Sequence, residues 1–149
     1  IKLKKANFSI ICHDLSNLSE YVKPIDRPTF KLLKNSLPGA FTFILNATTE
    51  VTKIFDSNKK EIGIRIPDNN IILEIVKKLG NPIATTSLHN EEDIILDYFT
   101  DPYTIYENYD EKVDLIIDGG TGQLEASTIV DCTTNTPEII RQGIGNIEL

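Results

Sequence analysis

Apolar and polar residues alternate in several short segments of the chain, as is typical of β-strands with one buried face. The clearest example is the segment 60–66, in which isoleucine occupies every second position from Ile62 onward. Gly63 and Arg65 therefore share the opposite face of this strand, and Pro67 ends it. The same pattern predicts further strands at 7–12, 40–45, 82–87, 113–118, 128–132 and 138–141.

Apolar residues at helical spacing predict helices between these strands. Asp14 is the predicted cap of the first helix, and Asp26, followed by Pro28, is the predicted cap of the second. Asp68 is predicted to cap a longer helix that ends at Gly80. Shorter helices are predicted at 51–55, from 91–93 onward and after Asp101. This interspersed order of strands and helices predicts an α/β or α+β fold with a mixed sheet.

The length and composition are those of one ordinary globular domain. The chain has 149 residues, of which 40% are hydrophobic and 25% charged, enough for one core and too few for two comfortable ones. No apolar run approaches the roughly 18 residues that a membrane span requires. The chain lacks methionine and begins with a basic stretch that leads directly into a strand. We therefore interpret 1–149 as a single domain whose natural N-terminus lies upstream.

Cys12 and Cys132 lie within apolar, strand-like segments. We expect two reduced, buried thiols in a cytoplasmic protein. A disulfide or a reactive thiol is the alternative, but the spacing of the cysteines does not support it. His13 and His89 have no partners at metal-ligand spacing, which argues against a zinc site.

The net charge of −7 bears on the class of ligand. A protein whose main task is to hold a nucleic-acid backbone needs clustered positive charge, so this balance disfavours that class. A single nucleotide bound by two or three local arginines is compatible with it. The sequence predicts no membrane partner and gives no indication of the oligomeric state.

Polar groups stand at the ends of four predicted strands. They are Arg65, the hydroxyl cluster 85–87, the pair 127–128 and Arg141. Side chains at strand ends can converge at one edge of a sheet. The planar fork of arginine matches carboxylate and phosphate groups, and hydroxyls supply further hydrogen bonds. The pattern therefore predicts a site for an anion that carries carboxylate or phosphate groups.

Each of these features also has a structural interpretation. Arg65 fits an exposed arginine at a strand end, and hydroxyl residues such as 85–87 are common in strands. The glycine-rich segment 119–122 lacks the lysine of a P-loop, so a hairpin or strand-crossing turn explains it equally well. Ser127 has no histidine near it in sequence, so a hydrolase triad is unsupported. The acidic run 91–93 fits a solvated helix start better than a metal site.

Five motifs follow one another in a recognisable order. They are Leu-Pro-Gly-Ala-Phe-Thr (37–42), Ile-Gly-Ile-Arg-Ile-Pro (62–67), Pro-Ile-Ala-Thr-Thr-Ser (82–87), Val-Asp (113–114) with Ser-Thr-Ile-Val-Asp (127–131), and Ile-Arg-Gln-Gly (140–143). This order resembles the YrdC/YciO family, from about residue 7 to the C-terminus. The resemblance implies a twisted mixed sheet flanked by helices, of the YrdC/RibB-like type.

The resemblance also implies an activity, that of a nucleotidyltransferase which makes threonylcarbamoyl-AMP and pyrophosphate from threonine, bicarbonate and ATP. This is the first step towards the threonylcarbamoyl modification of adenosine 37 in transfer RNA. No enzyme nucleophile is required, because the carbamate formed from threonine attacks the α-phosphate itself. ATP is then a substrate, and Mg²⁺ is expected to bind mainly through the nucleotide. The residues implied are Arg65, Ser127 and Thr42 for the amino acid, and Thr85, Ser87 and Arg141 for the nucleotide.

Two departures point to the YciO branch of the family. Leu88 and His89 follow the hydroxyl strand, where the well-studied synthases have Ala-Asn, and the segment 12–16 is also similar to that branch. The family's nucleotide-binding Lys-x-Arg pattern lies upstream of the aligned part, and the lysines of 1–5 do not map onto it. One alternative function is therefore a nucleotide- or double-stranded-RNA-binding module that has lost synthesis. A second is a small α/β domain with an unrelated role.

Overall fold

The computed structural model describes residues 8–55, 60–88 and 100–149. The chain divides into two compact units, one formed by Ile1–Thr86 with Ser127–Leu149 and the other by Ser87–Ala126. The interpretation of 1–149 as one domain stays a prediction. Within the described ranges, no helix is long and apolar enough to cross a membrane.

The first unit contains a six-stranded mixed sheet with helices, which confirms the predicted α/β fold. The strands are β1 (Ser9–Ile11), β2 (Phe41–Asn46), β3 (Glu61–Arg65), β4 (Ile83–Thr85), β5 (Thr128–Asp131) and β6 (Glu138–Arg141). The helices of this unit are α1 (Leu18–Tyr21), α2 (Arg27–Ser36), α3 (Thr49–Ile54) and α4 (Asn70–Leu79). In the second unit, α5 spans Pro102–Tyr109.

The strand order is β4-β1-β3-β2-β5-β6. The pairs β1–β3 and β2–β5 are parallel, and the other three pairs are antiparallel. Cross-strand partners point to the same face of a sheet, so the register defines two faces. One face carries Ile10, Ile64, Phe43 and Val130, all of which are buried. This face forms the hydrophobic core.

The first three helices cover the core face of the sheet. Leu18 of α1, Leu33 of α2 and Val51 of α3 belong to the same buried cluster as the sheet residues. Helix α2 begins as the sequence predicts, because the Asp26 carboxylate accepts the Thr29 N–H at 2.8 Å. Helix α4 ends at Gly80, whose φ of 79° lies in the left-handed region that glycine adopts at little cost.

Two predicted helix caps are wrong, because capping depends on backbone geometry that the sequence alone leaves open. The Asp14 carboxylate accepts the Ser16 N–H at 2.8 Å and forms a turn, and α1 begins only after Asn17. The predicted Asp68 cap is one residue too early. Asn69 is the cap of α4, and its side-chain oxygen accepts the N–H groups of residues 71 and 72 at 3.0 and 3.2 Å.

The strand predicted at 113–118 is also wrong. Its apolar alternation is present, yet no described strand lies beside it to share backbone hydrogen bonds. Leu115 and Ile117 are consequently 75% and 53% exposed. The helix predicted from 91–93 onward and the residue His89 lie outside the described residues.

Both cysteines are free and buried, which confirms the prediction of reduced thiols. Cys12 follows β1 and Cys132 follows β5, with two strands between them, so three strand spacings alone separate them by about 14 Å. A disulfide requires Cα atoms within roughly 7 Å, so this pair cannot form one. Burial, with a smaller contribution from nearby aspartates, raises the pKa of each thiol to about 11.

The chain after β6 is attached to the sheet through one buried hydroxyl. Thr128 is fully buried, and its Oγ1 donates to the Gly145 carbonyl at 2.6 Å. The same oxygen accepts the Gly143 N–H at 2.9 Å. The half-buried Gly143 N–H thus has its acceptor in Thr128, and the buried Gly145 carbonyl accepts both from Thr128 and from the Gln142 side chain, the latter at 2.8 Å.

We therefore expect Thr128→Val to lower the free energy of unfolding by about 1–3 kcal/mol, because it removes the acceptor of the Gly143 N–H and one of the two donors to the buried Gly145 carbonyl. Thr128→Ser keeps the hydroxyl and loses one methyl group, so it should be the more stable of the two variants. Urea unfolding measures both. A valine variant as stable as the wild type would contradict this role of the hydroxyl.

Candidate functional site

The face of the sheet opposite the core carries the predicted arginines. The β2–β3 ladder, continued by one residue, sets Thr42 opposite Arg65. Thr42 is the partner of Ile129 in β5, and Ile129 is the partner of Arg141 in β6. The two arginines and Thr42 therefore lie in one row on one face. Three strand spacings separate the arginine Cα atoms, a distance of about 14 Å.

Ser127 joins this row just before β5 begins. Its hydroxyl lies 3.1 Å from that of Thr42. The guanidinium of Arg141 donates twice to the Ser127 carbonyl, from Nε at 3.1 Å and from Nη2 at 2.8 Å. Because a fork of two hydrogen bonds fixes direction as well as distance, Arg141 holds Ser127 in place beside Thr42. All three side chains are half-buried.

Arg65 occupies the last position of β3, where it is half-buried. The backbone on both sides of this position is held in place. The Cys12 N–H donates to the Arg65 carbonyl at 2.9 Å, and the Gly39 N–H donates to the Ile66 carbonyl at 2.9 Å. Arg65 thus projects from a paired central strand rather than from a loop, which favours a defined position for its guanidinium.

Thr85 lies on the same face, in the adjacent row. It is the cross-strand partner of Ser9, and the two hydroxyl oxygens are 3.1 Å apart. Gly63 is the partner of Ser9 on its other side. A Cβ at Gly63 would lie 2.9 Å from the Ser9 Cβ and 3.1 Å from the Thr42 Cγ2. Gly63 is buried, and the absence of a side chain there lets the side chains of Ser9 and Thr42 pack closely over its backbone.

Ser87 and Thr128 also belong to the predicted polar groups. Ser87 belongs to the second unit and is exposed, so its contact with a nucleotide stays a prediction. Thr128 points to the core face, where its hydroxyl forms hydrogen bonds with the backbone of Gly143 and Gly145. Ser9 and Gly63 were missed by the site prediction. The alternation places both on polar faces of their strands, but only the strand order reveals that these strands are neighbours.

The chemistry available on this face is binding and charge neutralisation. Ser127 is hydrogen-bonded to Thr42 and Arg141, neither of which is a general base that could activate it. Arginine and hydroxyl groups instead match the oxygens of an anionic ligand. In the described part of the chain, no three His, Cys, Asp or Glu side chains are grouped so as to hold a metal ion.

The charge of the chain is unevenly divided between the two units. The second unit contains eleven acidic residues and one lysine, a net charge of −10. The first unit contains fourteen basic and eleven acidic residues, a net charge of +3. The unit that carries the arginine face is therefore positive, although the whole chain has a charge of −7.

Comparison with known proteins confirms the family that the motifs indicate. The Sua5/YciO/YrdC family model, described as "Telomere recombination", matches residues 1–143. An uncharacterized protein of Haemophilus influenzae is 42% identical over 143 residues, which cover 94% of this chain and 67% of that protein. The threonylcarbamoyl-AMP synthase of Bacillus subtilis is 27% identical over 132 residues, covering 87% of this chain and 37% of that enzyme.

Solved structures agree with these matches. The crystal structure of Escherichia coli YciO superposes with a TM-score of 0.84 at 38% identity, covering 94% of this chain and 67% of that chain. The structure of Pyrococcus abyssi Sua5 complexed with L-threonine gives a TM-score of 0.78 at 25% identity. That match covers 93% of this chain and 40% of Sua5.

The close contact at Gly63 leads to a prediction about stability. Gly63→Ala should lower the free energy of unfolding by about 1–3 kcal/mol, the usual cost of overpacking, because the new methyl group would press on the Ser9 Cβ. Ser9→Gly removes that carbon, so the double variant should lose less than the two single variants combined. Thermal unfolding of the four proteins measures this coupling. Simple additivity would show that the two positions do not contact each other.

Proposed function

Because the chain belongs to the Sua5/YciO/YrdC family, we propose that it is a nucleotidyltransferase of the threonylcarbamoyl-AMP synthase type. The amine of threonine and bicarbonate form a carbamate with loss of water. A carbamate oxygen then forms a bond to the α-phosphorus of ATP, and the bond from that phosphorus to pyrophosphate breaks. The product would serve the threonylcarbamoyl modification of transfer RNA.

One observation carries this proposal, namely that Arg65, Thr42 and Arg141 share a row on the face opposite the core. Arg65 would pair with the threonine carboxylate, and Thr42 and Ser127 would hold the rest of the amino acid. The reaction needs two reactants brought together and negative charge neutralised, and both effects are worth several kcal/mol in enzymes, with proximity reaching roughly 7–11 kcal/mol. A nucleophilic side chain is not required.

The nucleotide would lie towards the other polar groups of the site, and Arg141, Thr85 and Ser87 are its proposed contacts. Mg²⁺ would arrive bound to the phosphates of ATP, because this ion is commonly held through substrate phosphates with few protein ligands. We also propose a cytoplasmic location, where two free thiols such as Cys12 and Cys132 persist in the reduced state.

A second candidate function is a nucleotide- or double-stranded-RNA-binding module without synthesis. The net charge of +3 that the sequence gives the first unit supports it, in contrast to the overall charge of −7. Arg27, Lys31 and Lys34 are exposed along α2. The chain is 42% identical to an uncharacterized relative and 27% identical to the synthase of Bacillus subtilis, which also supports this second candidate.

Pyrophosphate release tests the first candidate. We expect release that depends on both threonine and bicarbonate, and we expect Arg65→Ala to raise the KM for threonine about 10- to 100-fold, because hydrogen bonds to a charged group are worth about 1.5–3 kcal/mol. Arg27→Ala is the matched control, since it removes an exposed guanidinium from a helix on the core side. It should leave the KM unchanged.

Two outcomes would contradict the synthase proposal. The first is pyrophosphate release that is independent of threonine, and the second is an equal effect of Arg65→Ala and Arg27→Ala. Binding of ATP or RNA with no response to threonine would favour the second candidate. If the ligand of this second candidate is RNA, the affinity for RNA should also fall steeply with salt concentration, because phosphate contacts release counterions.

A further inference from the structure

The hydroxyl of Thr85 is engaged by the neighbouring strand. Thr85 Oγ1 lies 3.1 Å from Ser9 Oγ and donates to the Ser9 backbone carbonyl at 3.3 Å. A threonine hydroxyl has one proton and two lone pairs. Since the Ser9 carbonyl and the Ser9 hydroxyl both offer acceptors for that proton, Thr85 has its donor satisfied within the protein. The Thr85 oxygen can therefore accept a hydrogen bond from a ligand through a lone pair.

The Ser9–Thr85 pair is close to the other hydroxyl pair of the face, Thr42–Ser127. The position that a Cβ of Gly63 would take is 2.9 Å from the Ser9 Cβ and 3.1 Å from the Thr42 Cγ2. These two carbons are therefore separated by no more than about 6 Å, which is within the span of one small ligand. Gly63 itself is buried beneath the two pairs, so a single bound molecule that contacts one pair lies close to the other.

We propose that Ser9 is a positioning residue of this site. It holds the Thr85 hydroxyl so that Thr85 acts as a hydrogen-bond acceptor for an N–H or O–H group on the nucleoside part of ATP. A phosphate oxygen is an acceptor itself and does not match a lone pair, so the phosphates lie elsewhere, towards the arginines. This inference rests on the proposed function, because it requires that the site bind a nucleotide.

In Ser9→Ala the hydroxyl of Thr85 keeps its 3.3 Å hydrogen bond to the backbone carbonyl of residue 9 but loses the 3.1 Å contact with the Ser9 hydroxyl, and with it a restraint on its rotamer. Ser9→Ala should therefore weaken the binding of ATP, while Thr85→Val removes the acceptor itself. Thr85→Ser keeps the hydroxyl and serves as the conservative control. Because Ser9 acts through Thr85, the double variant with Ser9→Ala and Thr85→Val should be no weaker than Thr85→Val alone.

Calorimetry on the full chain with two probes, ATP and inorganic triphosphate, tests these expectations. Ser9→Ala and Thr85→Val should each weaken ATP binding about threefold to tenfold, the loss expected for one hydrogen bond. Neither variant should change the affinity for inorganic triphosphate by more than about twofold, because the proposed contact is with the nucleoside. Thr85→Ser should bind ATP like the wild type. Melting curves of each variant confirm that it is folded.

Several results would overturn the role of Ser9 alone. They are unchanged ATP affinity in Ser9→Ala, independent and multiplicative effects in the double variant, or an equal loss of triphosphate binding. Should Ser9→Ala fail to fold, Thr85→Val and Thr85→Ser still decide whether Thr85 accepts from the nucleoside. A wild-type protein that binds neither probe would instead overturn the proposed function, and the role of Ser9 with it.

Discussion

The position of Arg65 is fixed by the packing of the strand that carries it. Strand β3 lies at the centre of the sheet, and its isoleucines Ile62 and Ile64 are 4% and 0% exposed in the core. Because side chains alternate, a slip of one residue would exchange the two faces of the strand. Such a slip would place the guanidinium of Arg65 in the core at a cost of several kcal/mol. Burial of Ile62 and Ile64 in the core thus fixes the face of the sheet on which Arg65 lies.

The opposite face is organised by small residues and by hydrogen bonds between side chains. Gly63 is buried and lacks a side chain, so Ser9 and Thr42 approach closely over it, and their hydroxyls are each paired with another hydroxyl. Arg141 holds the backbone of Ser127 with two hydrogen bonds. Groups that are positioned before a ligand binds lose little conformational entropy on binding, so this arrangement favours recognition of a small polar anion.

Much of the fold could be predicted from local patterns in the sequence. The strand Glu138–Arg141 was predicted with its observed bounds, and the burial of alternate residues in Phe41–Asn46 follows the sequence pattern. What local patterns do not contain is the order of the strands. The pairing of Ser9 with Thr85 joins residues 76 positions apart, and a pattern of period two specifies a face but not a neighbour. The failed strand at 113–118 has the same cause, since alternation becomes a strand only where a partner accepts its hydrogen bonds.

The net charge of the whole chain also did not predict the charge of each unit. A value of −7 disfavoured a protein that mainly holds a nucleic-acid backbone, yet the eleven acidic residues of the second unit account for it. Charge acts over about 8 Å at physiological ionic strength, so the potential near Arg65 and Arg141 depends on nearby groups more than on the total. The acidic composition of the whole chain is therefore compatible with an anion bound by local arginines, as expected from the sequence.

The most direct test is a crystal structure of the protein with L-threonine and a non-hydrolysable ATP analogue. We predict that both ligands lie on the face opposite the core, with the threonine carboxylate on Arg65, the phosphates towards the arginines and the nucleoside near Thr85. Ligands bound on the helix-covered side of the sheet, or a guanidinium of Arg65 that makes no contact with either ligand, would contradict the proposed site.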